Sequence, residues 1–368
     1  MSTRTLAAGE MTMKSIHRER FELCMGHRES DKIPADLWLD SNDPGVKTKL
    51  LRYTSQDRYE DLLDYFDIDI YRFKPDVSPK AKGTAGEIAD FFLPVPNTNY
   101  LSFSNDSVRR PLIHVETPAE LDAFAWPSGD LFDYSNFDSI LDSQSHRVLW
   151  AQAGTWSPVF CKMCDLCGIE KVLVDLIENP DLIRAMTIKI VDFYKDSFRR
   201  TLEAAKGRLD VMGFGDDIAT QQGLMFSKEL WLAYFKDPMK ELCDLIQSYG
   251  VYVAFHSCGA VSEMIPEFVD AGADIVFPIQ PRARGMEAER LKKEFGSDVV
   301  LYGGIDIQET LPFGSAQDVR DEVAHVAGIL SKDGGYILAS AHGLMSDVPP
   351  ANVCAMYDER NKKWTKHC

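Results

Sequence analysis

A histidine and a cysteine lie two residues apart at the end of one apolar stretch. Residues 251–259 read Val-Tyr-Val-Ala-Phe-His-Ser-Cys-Gly, which is typical of a buried strand that ends at His256 and Cys258. Side chains two residues apart on a strand point to the same face. Imidazole and thiolate are both ligands that zinc prefers. The pair therefore predicts a metal site; the alternative is a core cysteine beside a hydrogen-bonded histidine.

The stretches that must position this pair alternate between strand and helix patterns. Most of the strand candidates are short apolar runs bounded by Gly, Pro or Asp, as in parallel strands buried on both faces. They cover residues 33–40, 67–73, 148–154, 210–217, 251–257, 274–280, 299–306 and 335–342. Amphipathic stretches of helical length lie between them, at 168–187, 227–249 and 316–331. Eight strand–helix units predict an α/β fold of the (β/α)8 type, a TIM barrel.

One segment interrupts this alternation. Residues 74–147 separate the second and third predicted strands and contain short strand-like pieces between turn residues. We interpret them as an insertion that forms a lid over the barrel mouth. Residues 1–12 resemble a loose terminus. The whole chain, 1–368, is then expected to form a single barrel domain that carries this insertion.

Polar side chains accumulate at the predicted strand ends. In barrels of this type the carboxyl ends of the strands meet at one face, where the chemistry takes place. The candidates at that face are Asp40, Arg72, Gln152, Asp216, Asp217, His256, Cys258, Gln280, Asp306 and His342. Any one of them could instead cap a helix, so the functional signal is their shared position.

Composition excludes several classes of function. The 368 residues carry a formal net charge of −17, and no basic cluster resembles a nucleic-acid footprint. The chain has no run of 18 apolar residues, so no membrane span is expected. Its first residues lack the apolar core of a signal peptide. We therefore expect a cytoplasmic protein whose eight cysteines are reduced thiols rather than disulfides.

Four motifs resemble the uroporphyrinogen decarboxylase superfamily. They are Gly215-Asp216-Asp217-Ile218-Ala219-Thr220-Gln221, Phe255-His256-Ser257-Cys258-Gly259, Tyr302-Gly303-Gly304-Ile305-Asp306 and Asp347-Val348-Pro349-Pro350-Ala351-Asn352. The resemblance extends over residues 14–360 and is weakest within 74–147. It implies a (β/α)8 barrel, in agreement with the strand count.

The superfamily has two branches, and this chain resembles the second. The decarboxylases carry an Arg-rich segment after the first strand that binds substrate carboxylates, whereas residues 38–44 here are acidic and contain no Arg. The other branch comprises cobalamin-dependent methyltransferases with a zinc site of pattern His-x-Cys plus a distant Cys near the last strand. His256 and Cys258 match the first two of these ligands in type and spacing.

The third ligand of that pattern is absent. The last predicted strand has no Cys, and His342 occupies the corresponding region. Imidazole binds zinc well, so we predict His256, Cys258 and His342 as metal ligands. Asp216 or Asp217 could be a fourth ligand in the resting state. The alternatives are that His342 only donates a hydrogen bond to substrate, and that the aspartates are a helix cap and a solvated carboxylate.

The resemblance implies a zinc-dependent methyltransferase. Zinc would lower the pKa of a small acceptor, and a separate corrinoid protein would carry the methyl group as methylcobalamin. Either direction of transfer is open. The assigned catalytic residues are Asp216, Asp217 and Asp306, and the assigned substrate-binding residues are Asp40, Arg72, Gln152 and Gln280. Two alternatives remain: a decarboxylase of a smaller acid that uses Asp40, Asp216 or Asp306, and a non-catalytic tetrapyrrole- or corrinoid-binding protein.

Two further motifs are weaker. Cys161, Cys164 and Cys167 have the spacing of part of an iron–sulfur sequence, but no fourth Cys follows at the spacing of such sequences, so buried small side chains are the preferred interpretation. Gly213 and Gly215 lack the downstream Gly of a dinucleotide fingerprint.

Overall fold

The computed structural model describes residues 15–41, 43–81, 92, 110–152 and 159–363. Within them, the strands are Ile70–Phe73 (β1), Asp76–Val77 (β2), Phe132–Asp133 (β3), Val148–Gln152 (β4), Val211–Gly215 (β5), Tyr252–His256 (β6), Ile275–Ile279 (β7), Val300–Ile305 (β8) and Tyr336–Ser340 (β9). The first helices are Ile16–Met25 (α1), Pro44–Thr54 (α2), Tyr59–Tyr65 (α3), Pro118–Leu121 (α4), Phe137–Ser143 (α5), Phe160–Cys167 (α6), Ile169–Glu178 (α7) and Pro180–Ala205 (α8). The later ones are Lys228–Tyr234 (α9), Lys236–Ser248 (α10), Ile265–Ala271 (α11), Ala288–Phe295 (α12), Thr310–Phe313 (α13), Ala316–Leu330 (α14) and Pro350–Lys363 (α15).

Seven of the strands form one curled parallel sheet. Their order is β1-β4-β5-β6-β7-β8-β9, which is the order of the chain once the small β2–β3 pair is set aside. Every residue of β5, β7, β8 and β9 is buried, as expected for parallel strands that are covered on both faces. The α/β alternation predicted from the sequence is confirmed.

Residues 33–40, predicted as the first strand, do not form a continuous one. They make isolated parallel bridges instead, Ala35 to Leu338 and Leu39 to Leu344. Pro34 has no N–H to donate, which interrupts a regular ladder at this point. The segment still lies between the two edges of the sheet. The Asp36 N–H donates to the Leu338 carbonyl of β9, and the Ala35 carbonyl accepts from Asp69, next to β1.

Side chains alternate between two apolar clusters. One cluster consists of strand residues such as Val148 and Trp150, together with Phe21 and Cys24 of α1. The alternate residues, such as Leu149, pack into a larger cluster with the helices. The period of two along each strand thus places one set of side chains within the curl of the sheet and the other set under the helices. The residues of the first set that lie near the carboxyl ends of the strands line the site described below.

The described part of the predicted insertion adds no strand to the main sheet. β2 and β3 pair antiparallel with each other, and α4 and α5 pack against α8. Phe92 is buried against Phe193, with ring centroids 4.4 Å apart. The segments 82–91 and 93–109, on which the lid prediction rests, lie outside the described residues, and so do residues 1–14. The lid therefore stays a prediction.

Two further expectations concern helices and cysteines. Among the described helices, none combines the length and the apolar character needed to cross a membrane. The seven cysteines in the described ranges are all free thiols. Cys161, Cys164 and Cys167 are buried on α6, and burial raises the pKa of each thiol. They pack as small core side chains.

Candidate metal-binding site at the strand ends

Three potential metal ligands converge where β5 and β6 end. His256 is the last residue of β6, Cys258 follows two residues later, and Asp217 lies two residues after β5. His256 Nε2 is 3.4 Å from Cys258 Sγ and 3.4 Å from Asp217 Oδ1. The ligand atoms of all three residues lie within 4.8 Å of one another. The structure thus brings together two of the predicted ligands and one of the two aspartates.

These distances suit a tetrahedral zinc ion. With Zn–S of about 2.3 Å and Zn–N and Zn–O of about 2.1 Å, tetrahedral angles place sulfur and nitrogen about 3.6 Å apart and nitrogen and oxygen about 3.4 Å apart. The observed separations are within about 0.2 Å of those values. One thiol, one imidazole and one carboxylate make a three-ligand set of the kind found in catalytic zinc sites, which keep a position for water or substrate.

The thiol of this group is not activated by its protein surroundings alone. Burial and the neighbouring Asp217 carboxylate raise the pKa of the Cys258 thiol well above its usual range. Both effects disfavour the thiolate. A divalent cation at the centre of the group would oppose both, because it attracts the thiolate and neutralises the carboxylate. The electrostatics therefore fit a cation site better than a free nucleophilic cysteine.

Backbone contacts fix the loop that carries Cys258. The Cys258 N–H donates to Asp217 Oδ1 at 2.7 Å, so the carboxylate both faces the thiol and holds its loop. The Ala260 N–H donates to the Thr220 carbonyl at 2.9 Å. Gly259 has φ of +92°, and a Cβ there would lie 2.6 Å from the Thr220 oxygen. Only glycine fits this position, because any side chain would push the loop away from residues 219–220.

An arginine lies beside this group, and four aromatic side chains surround its guanidinium. The Arg72 guanidinium is 4.1 Å from the Trp150 ring centroid and between 5.2 and 5.4 Å from those of Trp38, Phe277 and Tyr302. Trp38 and Phe277 also contact the His256 ring, at 5.9 and 4.9 Å. Trp38 and Phe277 therefore contact both Arg72 and the histidine of the metal-ligand group.

Comparison with known proteins agrees with this architecture. Residues 153–363 match the sequence model of the family "Uroporphyrinogen decarboxylase (URO-D)".

The chain belongs to the URO-D family.

A solved structure, described as a methyltransferase from Methanosarcina mazei, resembles this URO-D member over 95% of this chain and 99% of that chain. The TM-score is 0.64 and the sequence identity is 15%, so the likeness is one of fold. No curated protein sequence matches the chain significantly. The family predicted from the motifs is confirmed.

In this URO-D chain, Asp216 and Asp217 have different surroundings. Asp216 accepts hydrogen bonds from the N–H groups of Val159, Phe160 and Cys161, at 2.8 to 3.1 Å, and so holds the start of α6. Burial raises the pKa of Asp216 to about 6, although the three amide donors act in the opposite direction. The helix-cap interpretation describes Asp216, whereas Asp217 faces the metal-ligand group.

Asp306 and Asp40 are held at the rim of the mouth. Asp306 pairs with Arg282 and accepts from the N–H groups of Gln308, Glu309 and Thr310, ahead of α13. The Asp40 N–H donates to the Leu344 carbonyl, which joins residues 33–40 to the loop after β9. Gln152 ends β4 and is half-buried, next to the segment 153–158 that lies outside the described residues.

His342 lies beside the group of metal ligands without joining it. Its ring stacks on Trp38, with centroids 5.4 Å apart and planes 29° apart. Its Nδ1 lies 3.2 Å from the Gly343 carbonyl oxygen. The ring of Trp38 thus contacts both His342 and His256. The third potential ligand atom of the compact group belongs to Asp217, and His342 is not part of that group.

Sequence reasoning missed Asp36, Trp38 and Tyr302. Asp36 is fully buried, pairs with Arg72 and accepts from the Tyr302 hydroxyl at 2.8 Å. The signal was present in the period of two along 33–40, because Asp36 and Trp38 share a face with the candidate Asp40. The strand-end argument selects only Asp40, the last residue of that run.

Gln280 supports the Cys258 loop. Its Oε1 accepts from the Gly259 N–H at 2.9 Å and from Gln221 at 2.8 Å. We expect Gln280→Leu to weaken zinc binding about ten-fold, because loss of a partner that orients a ligand typically lowers metal affinity by roughly 10- to 100-fold. Competition with a chromophoric chelator would measure the change.

Gln247→Leu is the matched control for this prediction. Gln247 also bridges backbone and side-chain groups, at Gly272 and Asp274, but it lies on α10 away from the strand ends. Unchanged zinc affinity in Gln280→Leu, or an equal loss in both variants, would contradict the supporting role.

Proposed function

We propose that this URO-D family member is a zinc-dependent methyltransferase that moves a methyl group between a corrinoid carried by a partner protein and a small molecule. The observation that carries the proposal is the compact group of Asp217, His256 and Cys258 at the carboxyl ends of the strands. A methyltransferase with the same overall fold and the family match support it.

Asp217, His256 and Cys258 would hold the zinc ion. A zinc ion bound there would act as a Lewis acid and would lower the pKa of a thiol or similar methyl acceptor. The protein holds the ligands in place through the Asp217 contact to the Cys258 N–H and through Gln280. Trp38 and Phe277 pack against His256 and exclude water from one side of its ring.

A decarboxylase is less well supported by the same geometry. That reaction would need carboxylates available to substrate, with Asp40, Asp216 or Asp306 as candidates. Asp216 is bound to three backbone amides, and Asp306 to Arg282 and three amides. Residues 38–44 also lack the arginines that would bind a polycarboxylate. Like charges brought close together in a desolvated mouth would disfavour such a substrate.

The assay measures the state of the cobalt in cobalamin by its absorption spectrum. Methylcob(III)alamin and cob(I)alamin have different absorption spectra, so their interconversion with candidate thiols or methyl donors reports methyl transfer directly. We expect turnover with at least one small acceptor or donor and no release of CO2 from uroporphyrinogen. CO2 release from uroporphyrinogen, together with no change at cobalt, would support the decarboxylase instead.

The identity of the third ligand is tested separately. We expect Asp217→Ala to weaken zinc binding at least about ten-fold, because it removes a ligand and a contact to the Cys258 loop. His342→Ala should retain zinc, since His342 lies outside the compact group. Metal analysis after dialysis gives both values. Loss of zinc from His342→Ala with full retention in Asp217→Ala would reverse the assignment.

A further inference from the structure

Three glutamine side chains form a hydrogen-bonded chain at the carboxyl ends of the strands. Gln308 Nε2 donates to Gln221 Oε1 at 3.3 Å, and Gln221 Nε2 donates to Gln280 Oε1 at 2.8 Å. The same Gln280 oxygen accepts from the Gly259 N–H at 2.9 Å. The chain therefore leads from an exposed residue after β8, Gln308, to the loop that carries Cys258.

The backbone determines the direction of each amide in this chain. The N–H of Gly259 can only donate, so Gln280 must present its oxygen to that group. The Gln280 amide nitrogen then faces the Ala341 carbonyl oxygen, 3.4 Å away. Gln280 therefore needs a donor from Gln221, and Gln221 in turn presents its oxygen to Gln308. Reversing any of the three amides would place two donors or two acceptors together.

The loop after β5 holds Gln221 in place. The Gln221 carbonyl accepts from the Arg284 N–H at 3.0 Å, in the loop after β7. The preceding carbonyl, that of Thr220, accepts from the Ala260 N–H at 2.9 Å, in the loop after β6. Residues 219–224 also pair antiparallel on themselves. The backbone of Gln221 is thus fixed to both neighbouring loops, and its side chain projects from a defined position.

The contact at the far end of the chain is buried. Gln280 is 7% exposed, and Gly259 is buried as well. Water cannot easily replace the Gln280 oxygen there, and a buried N–H without an acceptor is costly. Gly259 directly follows Cys258, so this hydrogen bond fixes the backbone next to the thiol.

We infer that Gln221 is a positioning residue of the metal-ligand group. Its amide N–H keeps the Gln280 oxygen on the Gly259 N–H, and this contact keeps Cys258 beside the other two ligands. The inference rests on the proposed function only for the metal that this group binds. A side chain at position 221 must then donate a hydrogen bond to Gln280, whatever its own charge.

Two substitutions of Gln221 separate the donor from the charge. Gln221→Lys keeps a donor, whereas Gln221→Glu offers only acceptors. Gln280 can meet that carboxylate only by turning its amide nitrogen toward it, which removes its oxygen from Gly259. The rate at which iodoacetamide alkylates Cys258 in metal-free protein is measured by mass spectrometry of the peptide. We expect alkylation to be about ten-fold faster in Gln221→Glu than in the wild type, and within about two-fold of the wild type in Gln221→Lys.

The effect of charge alone has the opposite sign. A nearby negative charge disfavours the thiolate and slows alkylation, and a positive charge accelerates it. Gln222→Glu and Gln222→Lys measure this effect, because Gln222 is the exposed neighbour in the same turn. Equal rates in Gln221→Glu and Gln222→Glu, or alkylation as fast in Gln221→Lys as in Gln221→Glu, would overturn the inference.

A buried cysteine far from the strand ends provides the internal reference for folding. Cys243 lies on α10 and is fully buried, so its alkylation reports opening of the whole protein. In Gln221→Glu we expect faster alkylation of Cys258 with an unchanged rate at Cys243. An equal acceleration at both cysteines would mean that the substitution only destabilises the fold, and it would overturn the positioning role.

Zinc affinity distinguishes this inference from the proposed function. Competition with a chromophoric chelator should show zinc binding about ten-fold weaker in Gln221→Glu and nearly unchanged in Gln221→Lys. Alkylation requires neither metal nor methyl transfer. Selective acceleration at Cys258 in Gln221→Glu would support the positioning role even if the wild type bound no zinc. Normal zinc binding by the wild type, with neither alkylation nor zinc affinity changed in Gln221→Glu, would overturn the role of Gln221 and leave the metal site intact.

Discussion

Replacing Cys258 with alanine is expected to lower the rate of methyl transfer by about a hundred-fold or more and to remove the bound metal. Cys258 supplies the sulfur of the group formed with His256 and Asp217. Its side chain lies in a loop at the strand ends and is absent from both apolar clusters, so the fold should be retained. Metal analysis, cobalamin spectroscopy and thermal unfolding on the same preparation test all three expectations.

Cys354→Ala is the control for this prediction. Cys354 is a partly buried thiol on α15, and burial raises its pKa, as it does for Cys258. It should retain both metal and activity. Full zinc content in Cys258→Ala, or equal losses in the two variants, would show that this sulfur is not a ligand.

A second large effect is expected from Asp216→Ala, on stability. Three buried N–H groups at the start of α6 would lose their acceptor, and each unsatisfied buried donor costs about 1–3 kcal/mol. Part of this cost is offset, because the variant no longer buries a carboxylate. We expect the free energy of unfolding to fall by about 3 kcal/mol, measured by urea denaturation.

The control is the exposed cap of another helix. Asp318 closes the capping box of α14, where its side chain accepts from the Ser315 N–H at 2.8 Å on the protein surface. Water can replace that contact, so Asp318→Ala should cost clearly less than Asp216→Ala. Equal effects would mean that Asp216 is no more than an ordinary surface cap.

The sequence predicted His256 and Cys258 correctly as neighbours because their relation is local. Two residues apart on one strand, they share a face whatever the rest of the chain does. The partner from β5 was harder to choose. Asp216 and Asp217 are adjacent, so a shift of one residue exchanges their faces, and strand ends are the least certain part of any assignment. In the structure, Asp216 accepts from the start of α6, whereas Asp217 accepts from the Cys258 N–H and faces the potential ligands.

For His342, the strand pattern predicts the position of the residue but not the direction of its side chain. Its position near the mouth follows from the end of β9, but the direction of its ring follows its stacking on Trp38 and the contact of its Nδ1 with the Gly343 carbonyl. Residues 33–40 are a related case. Their alternation predicted a strand, and they do lie between β9 and β1, but Pro34 leaves isolated bridges where a ladder was expected.

The aromatic walls were not predicted for a different reason. Trp38, Trp150, Phe277 and Tyr302 are residues that any buried strand could contain, and their shared contact with Arg72 depends on four separate strands or segments meeting at one level. The spacing of these residues along the chain does not predict that their side chains come together. Their approach depends on the number of strands and on the curl of the sheet.

The most direct measurement is X-ray absorption at the zinc edge on protein purified without chelators. The account predicts about one zinc per chain, with a single sulfur ligand at about 2.3 Å and nitrogen or oxygen ligands at about 2.0–2.2 Å. In Cys258→Ala the sulfur contribution should disappear. Protein that binds no zinc when zinc is supplied, or a zinc spectrum without sulfur in the wild type, would contradict the assignment of Asp217, His256 and Cys258 as its ligands.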